Sequence, residues 1–160
     1  MLNLLSGRDS ARVNRSNQSI SSRRRIMQTT IKVRGYHLDV YQHVNNARYL
    51  EFLEEARWQW LEEAEAFTWL LEQKLAFVVV NININYRRPA VLGDVLEVSS
   101  DIKHLNGKSG IITQHILLAG SETVVADAAL TFVCIDLRTQ KAVPLEGELR
   151  QRLERLMKPV

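Results

Sequence analysis

The sequence is poor in the features that build cross-links and membrane spans. It contains one cysteine, Cys134, so no disulfide can form within the chain. A single thiol of this kind is typical of a reducing compartment such as the cytoplasm. No apolar run approaches the ~20 residues that a membrane-spanning helix needs, so we expect no membrane insertion. The 160 residues are enough for one domain with a full hydrophobic core.

Several catalytic signatures are also missing. The chain has no Gly-x-Ser-x-Gly elbow and no glycine-rich nucleotide loop, which argues against a serine hydrolase and a dinucleotide-binding domain. His37, Asp39 and His43 are spaced somewhat like metal ligands, but a zinc site needs three or four ligands and no cysteine is near. We therefore expect no metal and no cofactor. Cys134 lies between apolar residues and is interpreted as core rather than as a nucleophile.

Positive charge is concentrated at the amino terminus. Residues 1–26 contain six arginines and one aspartate, a net charge of +5; the whole chain carries +3, so residues 27–160 carry −2. We interpret 1–26 as a disordered basic tail that precedes a folded domain over 27–160. A transit peptide, or a start placed too early with Met27 as the true first residue, would explain the same composition. The negative charge of the domain argues against nucleic acid as a partner.

Apolar periodicity predicts one long helix and five strands. Asn45 or Asn46 can cap the helix, which runs for about five turns. Its apolar face is predicted to contain Leu50, Leu53, Ala56, Trp60 and Ala64. Strands are predicted over about 29–33, 78–86, 94–105, 111–119 and 123–137, with a short helical piece near 67–74 and a last helix near 146–157.

The second strand alternates cleanly until Pro89 ends it. One face is predicted to carry Val78, Val80, Ile82, Ile84 and Tyr86, and the other Asn81, Asn83 and Asn85. The asparagine face is interpreted as solvated, or as a polar surface that meets a second subunit or a substrate arm. Further on, Asn106-Gly107 is a strong hairpin signal between two strands.

A helix of this length must bury its apolar face, and the sheet is the only large surface available. The sequence therefore predicts an α+β hotdog fold, in which a curved antiparallel sheet of about five strands wraps around one long helix. Such a sheet leaves edges and an outer face uncovered. We expect a homo-oligomer, either a dimer or a dimer of dimers.

The candidate site is the polar segment HLDVYQHVNN, residues 37–46, directly before the long helix. The first N–H groups of a helix have no internal partner and can polarise a carbonyl oxygen. A carboxylate beside them, Asp39, can attack that carbonyl or activate a water. A thioester suits so sparse a site, because its thiolate leaves without much acid assistance. The alternative is that Asp39 only forms an Asx turn.

The segment DVYQHVNNARYLEFLEEAR resembles the active-site segment of the 4-hydroxybenzoyl-CoA thioesterase-like hotdog enzymes. The shared features are Asp39, Tyr49 and the helical run Glu54 to Arg57. The segments AFVVVNININYRRPAVL, LNGKSGI and TFVCIDLRTQKA, together with the region around Asp39, are similar to the bacterial long-chain acyl-CoA thioesterase III group. The resemblance runs from about residue 27 to the C-terminus and does not include residues 1–26.

The resemblance implies hydrolysis of long-chain acyl-CoA to a free fatty acid and CoA. By position, Asp39 matches the catalytic carboxylate, and the backbone N–H of Asn46 matches the donor that polarises the carbonyl. His43 either orients Asp39 or a water, or satisfies a loop carbonyl. The remaining open alternatives are a thioesterase acting on acyl carrier protein and a non-catalytic acyl-thioester binder.

Cationic residues at strand ends and turns are candidates for holding the phosphates of CoA, or are plain solvated surface. These candidates are Arg87, Arg88, Lys108 and Ser109. A domain with a net charge of −2 needs a local cationic patch to hold an anion of this kind. The acyl chain needs apolar surroundings, which the helix residues Leu50, Leu53 and Trp60 can supply, although the same residues also suit an ordinary core.

Overall fold

The computed structural model describes residues 27–157, which form one antiparallel sheet and three α-helices. The strands are β1 (Met27–Lys32), β2 (Leu75–Tyr86), β3 (Val95–Leu105), β4 (Ser109–Leu118), β5 (Val124–Asp136) and β6 (Lys141–Val143). The helices are α1 (Asn46–Glu63), α2 (Ala66–Glu72) and α3 (Gly147–Met157). The prediction of a basic tail over residues 1–26 lies outside the described residues.

The sheet runs in the order β1-β3-β4-β5-β2, and α1 packs against β1 and β3. This confirms the predicted hotdog layout. The sixth strand, β6, was not predicted because it is only three residues long. It pairs with β5 at Cys134–Asp136, directly beyond the end of the β4 pairing at Val133. Within the described sheet, β1 and β2 are the two edge strands.

Helix α1 begins where the polar segment predicts. The Asn45 side-chain oxygen accepts the N–H of Ala47 at 3.0 Å and caps the helix. No glycine or proline interrupts the next 18 residues. The buried face carries Tyr49, Phe52, Leu53, Ala56 and Trp60.

The predicted helix face was wrong in two places. Leu50 is 39% exposed. The centre of the buried stripe lies close to Tyr49, and Leu50 is about 100° around the helix axis from Tyr49. Ala64 is the C-cap, one residue beyond the helix. The larger aromatic side chains Tyr49 and Phe52 occupy the core in place of Leu50.

A β-bulge divides β2, and because of it half of the predicted face is wrong. The register with β5 shifts between Val79 and Asn81, so that Val80 is the extra residue. Beyond the bulge, Ile82 and Ile84 face inward as predicted. Before it the alternation is inverted, because Phe77 and Val79 pair with the inward residues Cys134 and Phe132. Val78 therefore does not share a face with Ile82 and Ile84 as predicted, and Val80 is the bulged residue; Val78, Val79 and Val80 are 37%, 37% and 57% exposed.

The core contains one buried polar hub. Gln114 on β4 is 0% exposed. Its Nε2 donates to the Leu53 carbonyl at 3.0 Å and to Ser100 Oγ at 2.8 Å, while its Oε1 accepts Arg57 Nη1 at 2.9 Å. These bonds tie the middle of α1 to β3 and β4. Because each buried polar atom has a partner, the hub fixes how the helix lies on the sheet.

Cys134 is fully buried, as predicted, and burial raises the pKa of its thiol to about 11. The thiol is therefore protonated at neutral pH and chemically quiet. Around it, Phe132, Leu149 and Leu153 belong to the same buried cluster. This cluster closes the end of the sheet that lies away from the start of α1.

Candidate active site

Asp39 lies in a tight turn at the start of the polar segment. The Gln42 N–H donates to the Asp39 carbonyl at 3.0 Å, and Gln42 has a φ of 62°. The Asp39 N–H in turn donates to the His43 carbonyl at 2.9 Å. The carboxylate Oδ1 accepts the Tyr41 N–H at 2.8 Å, which is the Asx-type bond of the alternative interpretation.

The turn occupies only one of the two carboxylate oxygens. Within residues 27–157, Oδ2 of Asp39 accepts no hydrogen bond. The side chain is half-buried rather than fully exposed. The Asx turn and a chemical role are therefore compatible, because Oδ1 fixes the orientation of the carboxylate and leaves Oδ2 available to a substrate or a water.

Two hydrogen bonds hold the start of α1 in place. The Asn45 N–H donates to the His37 carbonyl at 2.9 Å, and the Tyr86 hydroxyl donates to the Asn46 carbonyl at 3.1 Å. The backbone N–H of Asn46 has no acceptor among the described residues. A free donor at the positive end of an 18-residue helix can polarise a carbonyl oxygen.

His43 takes part through its backbone. Its carbonyl accepts from Asp39, and it forms an isolated β-bridge with Val91. The side chain is exposed and makes no hydrogen bond to the described part of the chain. The structure therefore gives His43 a loop-closing role, and no contact orients its imidazole toward the Asp39 carboxylate.

His37, in contrast, is a buried structural residue. Its Nδ1 accepts the Arg34 N–H at 2.9 Å, and its ring lies edge-on to Phe52 with centroids 4.9 Å apart. Burial first, and the nearby Arg48 second, lower the pKa of this imidazole. Because Nδ1 accepts a hydrogen bond, the neutral ring carries its proton on Nε2, and neither nitrogen offers a lone pair to a metal in this arrangement. Among the described residues, no group of three potential ligands is close enough to hold a metal ion.

Tyr49 and Tyr86 form an aromatic pair beside the helix start, with ring centroids 5.5 Å apart. Tyr49 is buried, and burial raises the pKa of its phenol. Tyr86 is half exposed and bonds directly to the first turn of α1. The strand alternation predicted that Tyr86 shares a face with Ile82 and Ile84. It did not predict the bond from Tyr86 to the helix, which joins residues 40 positions apart.

The four candidate phosphate-binding residues fall into two separate groups. Arg87 and Arg88 follow the end of β2, and both N–H groups donate to the Val125 carbonyl. Lys108 lies in the β3–β4 turn, and Ser109 is the first residue of β4, where it pairs with Val133 of β5. On β5, the position of the arginines (Val125) and that of Ser109 (Val133) are eight residues apart, roughly 25 Å along a strand. One chain therefore does not bring the two groups together.

Arg87 and Ser109 also have partners of their own. Arg87 Nε donates to Asp127 Oδ2 at 2.5 Å, and this contact lowers the pKa of the Asp127 carboxyl. Ser109 accepts from Asn106 through its carbonyl at 2.8 Å and its hydroxyl at 3.3 Å. Arg88 and Lys108 have no ion pair within residues 27–157. Of the candidate cations, these two therefore have no carboxylate partner in that range to compete with a phosphate, whereas Arg87 has Asp127.

A cavity of about 460 Å³ lies under the C-terminal half of α1. Its walls come from α1, α2, α3 and the first half of β2, and its floor from the inner face of the sheet. The lining is mainly apolar and includes Trp58, Leu61, Phe77, Val79, Leu153 and Leu156. Among the helix residues suggested for an acyl channel, Trp60 lines this cavity, whereas Leu50 and Leu53 do not.

The fold and the site define a member of a known enzyme class. The chain belongs to the thioesterase-like superfamily, whose family model matches residues 33–153. No helix in the described part of the chain is long and apolar enough to cross a membrane.

Individual relatives agree with this assignment. The chain is 68% identical to the long-chain acyl-CoA thioesterase FadM of Escherichia coli over 132 residues, which are 82% of this chain and 100% of FadM. It is 31% identical to the acyl-CoA thioesterase YbgC of Haemophilus influenzae over 115 residues, 71% of this chain and 83% of YbgC. A crystal structure of YbaW, a probable thioesterase from Escherichia coli, superposes with a TM-score of 0.78 at 68% identity, covering 82% of this chain and 99% of YbaW. The resemblance seen in the sequence is confirmed.

Proposed function

We propose that this protein hydrolyses the thioester of long-chain fatty acyl-CoA, releasing a free fatty acid and CoA. The observation that carries the proposal is that, within residues 27–157, one carboxylate oxygen of Asp39 and the Asn46 N–H at the start of α1 have no hydrogen-bond partner. The names of the relatives, which are acyl-CoA thioesterases, support the same substrate.

In the proposed reaction, the thioester carbonyl oxygen accepts the Asn46 N–H. Asp39 then either removes a proton from a water that attacks the carbonyl carbon, or attacks that carbon itself and forms an anhydride that water opens. In both routes the C–S bond breaks and the sulfur takes up a proton. A thiol pKa of about 8.5 makes the thiolate a good leaving group, so no strong general acid is required.

We extend the proposal to the assembly, in which a second copy covers the edge of β2. This strand is 12 residues long and, within the described sheet, pairs only with β5. Its exposed apolar residues, Val78, Val79 and Val80, make an unprotected edge of the kind that pairs with another chain. A dimer through β2 is supported by this edge, and a dimer of dimers through the outer face of the sheet would follow the same logic.

Such a dimer has a consequence for CoA binding. If the two β2 strands pair antiparallel, the Lys108 end of one sheet comes to the Arg88 end of the other. The phosphates would then be held by Arg87 and Arg88 of one copy together with Lys108 and Ser109 of its partner. Arg88 and Lys108 carry most of the effect, because Arg87 is already paired with Asp127.

A cytoplasmic location belongs to this proposal. It is supported by the single buried cysteine and by the CoA ester proposed as substrate. Fractionation of the native cells tests it directly. Recovery of the protein with the membranes after a high-salt wash would contradict it.

The activity is tested by offering hexadecanoyl esters of CoA and of acyl carrier protein and detecting the free thiol. We expect turnover, with the higher kcat/KM for the CoA ester. Preference for the carrier-protein ester would make that protein the substrate. Tight binding of both esters without hydrolysis would make the protein a binder and not an enzyme.

Phosphate recognition is tested with Arg88→Ala and Lys108→Ala. Each should raise KM for acyl-CoA by about tenfold with kcat nearly unchanged, because a charge-assisted contact remote from the carbonyl is worth ~1.5 kcal/mol or more. The effect should be absent with an acyl-pantetheine ester, which lacks the nucleotide. Lys32→Ala, at an exposed position on the opposite edge strand, is the matched control. Equal losses on both esters would show that the two residues serve the fold.

A further inference from the structure

The backbone of Gln42 has a conformation that its side chain does not favour. Its φ of 62° lies in the left-handed region, which costs energy for a residue with a Cβ and little for glycine. A glycine at this position would remove that cost. The chain instead places a glutamine in the turn that holds the proposed catalytic carboxylate of Asp39.

The hairpin around Asp39 requires a left-handed residue at this point. Leu38 and Val44 form an antiparallel bridge. Between them the Gln42 N–H donates to the Asp39 carbonyl, and the Asp39 N–H donates to the His43 carbonyl. Such a three-residue connection consists of a turn followed by a bulge residue with positive φ, where glycine is usual. The hairpin therefore explains the φ, but it does not explain why the side chain is a glutamine.

Other residues with a positive φ have a structural reason that Gln42 lacks. Within the described part of the chain, Glu65 (φ 52°) and Lys74 (φ 58°) follow the ends of α1 and α2, where a left-handed residue commonly ends a helix. Gln140 (φ 58°) closes the β5–β6 turn, and its Nε2 donates to the Leu137 carbonyl at 2.7 Å. The side chain of Gln42 is exposed and makes no hydrogen bond within residues 27–157. Strain of this kind, without a structural partner, is typical of functional sites.

The proposed reaction gives an unpaired amide a task. In both routes a water attacks a carbonyl carbon, and its oxygen is oriented only when both of its hydrogens are held. Asp39 Oδ2 can accept one of them, whereas the Asn46 backbone offers a donor and no acceptor for the other. A glutamine side chain supplies an acceptor in Oε1 and carries no charge.

The turn brings the Gln42 amide within reach of a water on Asp39. The end residues of a four-residue turn have Cα atoms less than about 7 Å apart. The glutamine amide oxygen is four bonds beyond its Cα, each about 1.5 Å or less. Because the Gln42 side chain is unpaired within residues 27–157, no hydrogen bond to the described chain holds its amide elsewhere.

We infer that the Gln42 side-chain amide orients the attacking water beside Asp39. The water donates one O–H to Asp39 Oδ2 and the other to Gln42 Oε1, which turns an oxygen lone pair toward the thioester carbon. If Asp39 is the nucleophile, Gln42 holds the water that opens the anhydride. The inference rests on the proposed function, since it requires hydrolysis at Asp39.

Two variants separate the amide from the backbone strain. Gln42→Met keeps the length of the side chain and the strain but removes the amide. On hexadecanoyl-CoA it should lower kcat about tenfold, the effect of one lost hydrogen bond, with KM little changed because the contact is with water and not with the ester. Gln42→Gly should lose the same factor in kcat while the melting temperature rises by about 2–4 °C, since glycine adopts this φ without strain.

Gln140→Gly is the matched control, because Gln140 is the same residue type in the same backbone conformation at a turn remote from Asp39. Its kcat should stay within about twofold of the wild type. A kcat within twofold of the wild type in Gln42→Met would overturn the inference and leave hydrolysis at Asp39 intact, and a loss in Gln42→Gly alone would assign the effect to the turn. A raised KM with unchanged kcat would show that the amide binds the ester, which also contradicts the inference. Failure of the wild type to hydrolyse any ester would instead overturn the proposed function, and the inference with it.

Discussion

The buried Gln114 hub allows a quantitative prediction about stability. Gln114→Met keeps a side chain of similar length and shape but removes three hydrogen bonds at once. The hydroxyl of Ser100, a residue that is 6% exposed, then loses the Gln114 N–H that donates to it in the core. The Leu53 carbonyl loses a second donor, and Arg57 loses its bond to Oε1.

The loss in the free energy of unfolding depends on whether each former partner of Gln114 can find another hydrogen bond. A buried hydroxyl left without a partner costs about 1–3 kcal/mol, and a charge-assisted bond is worth about 1.5–3 kcal/mol. Arg57 is half-buried and can turn partly toward water, so its loss is at the lower end. We expect Gln114→Met to lower the free energy of unfolding by about 2–4 kcal/mol, measured by urea denaturation with an unchanged slope.

A double-mutant cycle separates the polar loss from a packing defect. Ser100→Ala removes the orphaned hydroxyl, so the double variant Ser100→Ala/Gln114→Met should be more stable than the sum of the single losses by about 1 kcal/mol or more. Strict additivity, or a cost below about 1 kcal/mol for Gln114→Met alone, would refute the view that this hub fixes α1 on the sheet.

Two further predictions concern His37 and Gly110. Because the pKa of folded His37 is lowered, the unfolded chain binds more protons just below the ordinary pKa of about 6.5, and the free energy of unfolding should fall as pH drops from 7 to 5.5. His37→Asn, which keeps an acceptor for the Arg34 N–H, should flatten this dependence, whereas an unchanged slope would rule out His37 as its source. Gly110→Ala should destabilise the fold by about 1–3 kcal/mol, because an added Cβ would lie 2.3 Å from the Phe132 ring; a melting temperature equal to that of Ser109→Ala would contradict this.

Local sequence signals predicted the elements that depend on local physics. The long helix followed from the Asn45 cap and an uninterrupted amphipathic run, and the β3–β4 hairpin from Asn106-Gly107. The apolar strand around Cys134 correctly predicted a core position. These features need only spacing and side-chain type to be recognised.

The features that were missed depend on contacts between distant residues. The bulge at Val80 inverts the first half of β2, and an alternating apolar run gives no sign of where one extra residue is inserted. Gln114 looks like an ordinary strand residue until Arg57 and Ser100 are brought to it from other elements. The cavity likewise requires four elements to converge, and none of them marks it alone.

The role of Asp39 is the central claim, and one pair of variants tests it most directly. In Asp39→Asn the side-chain amide oxygen can still accept the Tyr41 N–H, so the turn is kept, but the negative charge is removed. Asp94→Asn is a matched control, because Asp94 also accepts a backbone N–H, that of Val91 at 2.9 Å, in a tight turn. Measured as kcat on hexadecanoyl-CoA, Asp39→Asn should lose at least ~100-fold with KM little changed, while Asp94→Asn stays within about twofold. Near-normal turnover by Asp39→Asn, or equal losses in the two variants, would show that Asp39 only shapes its turn.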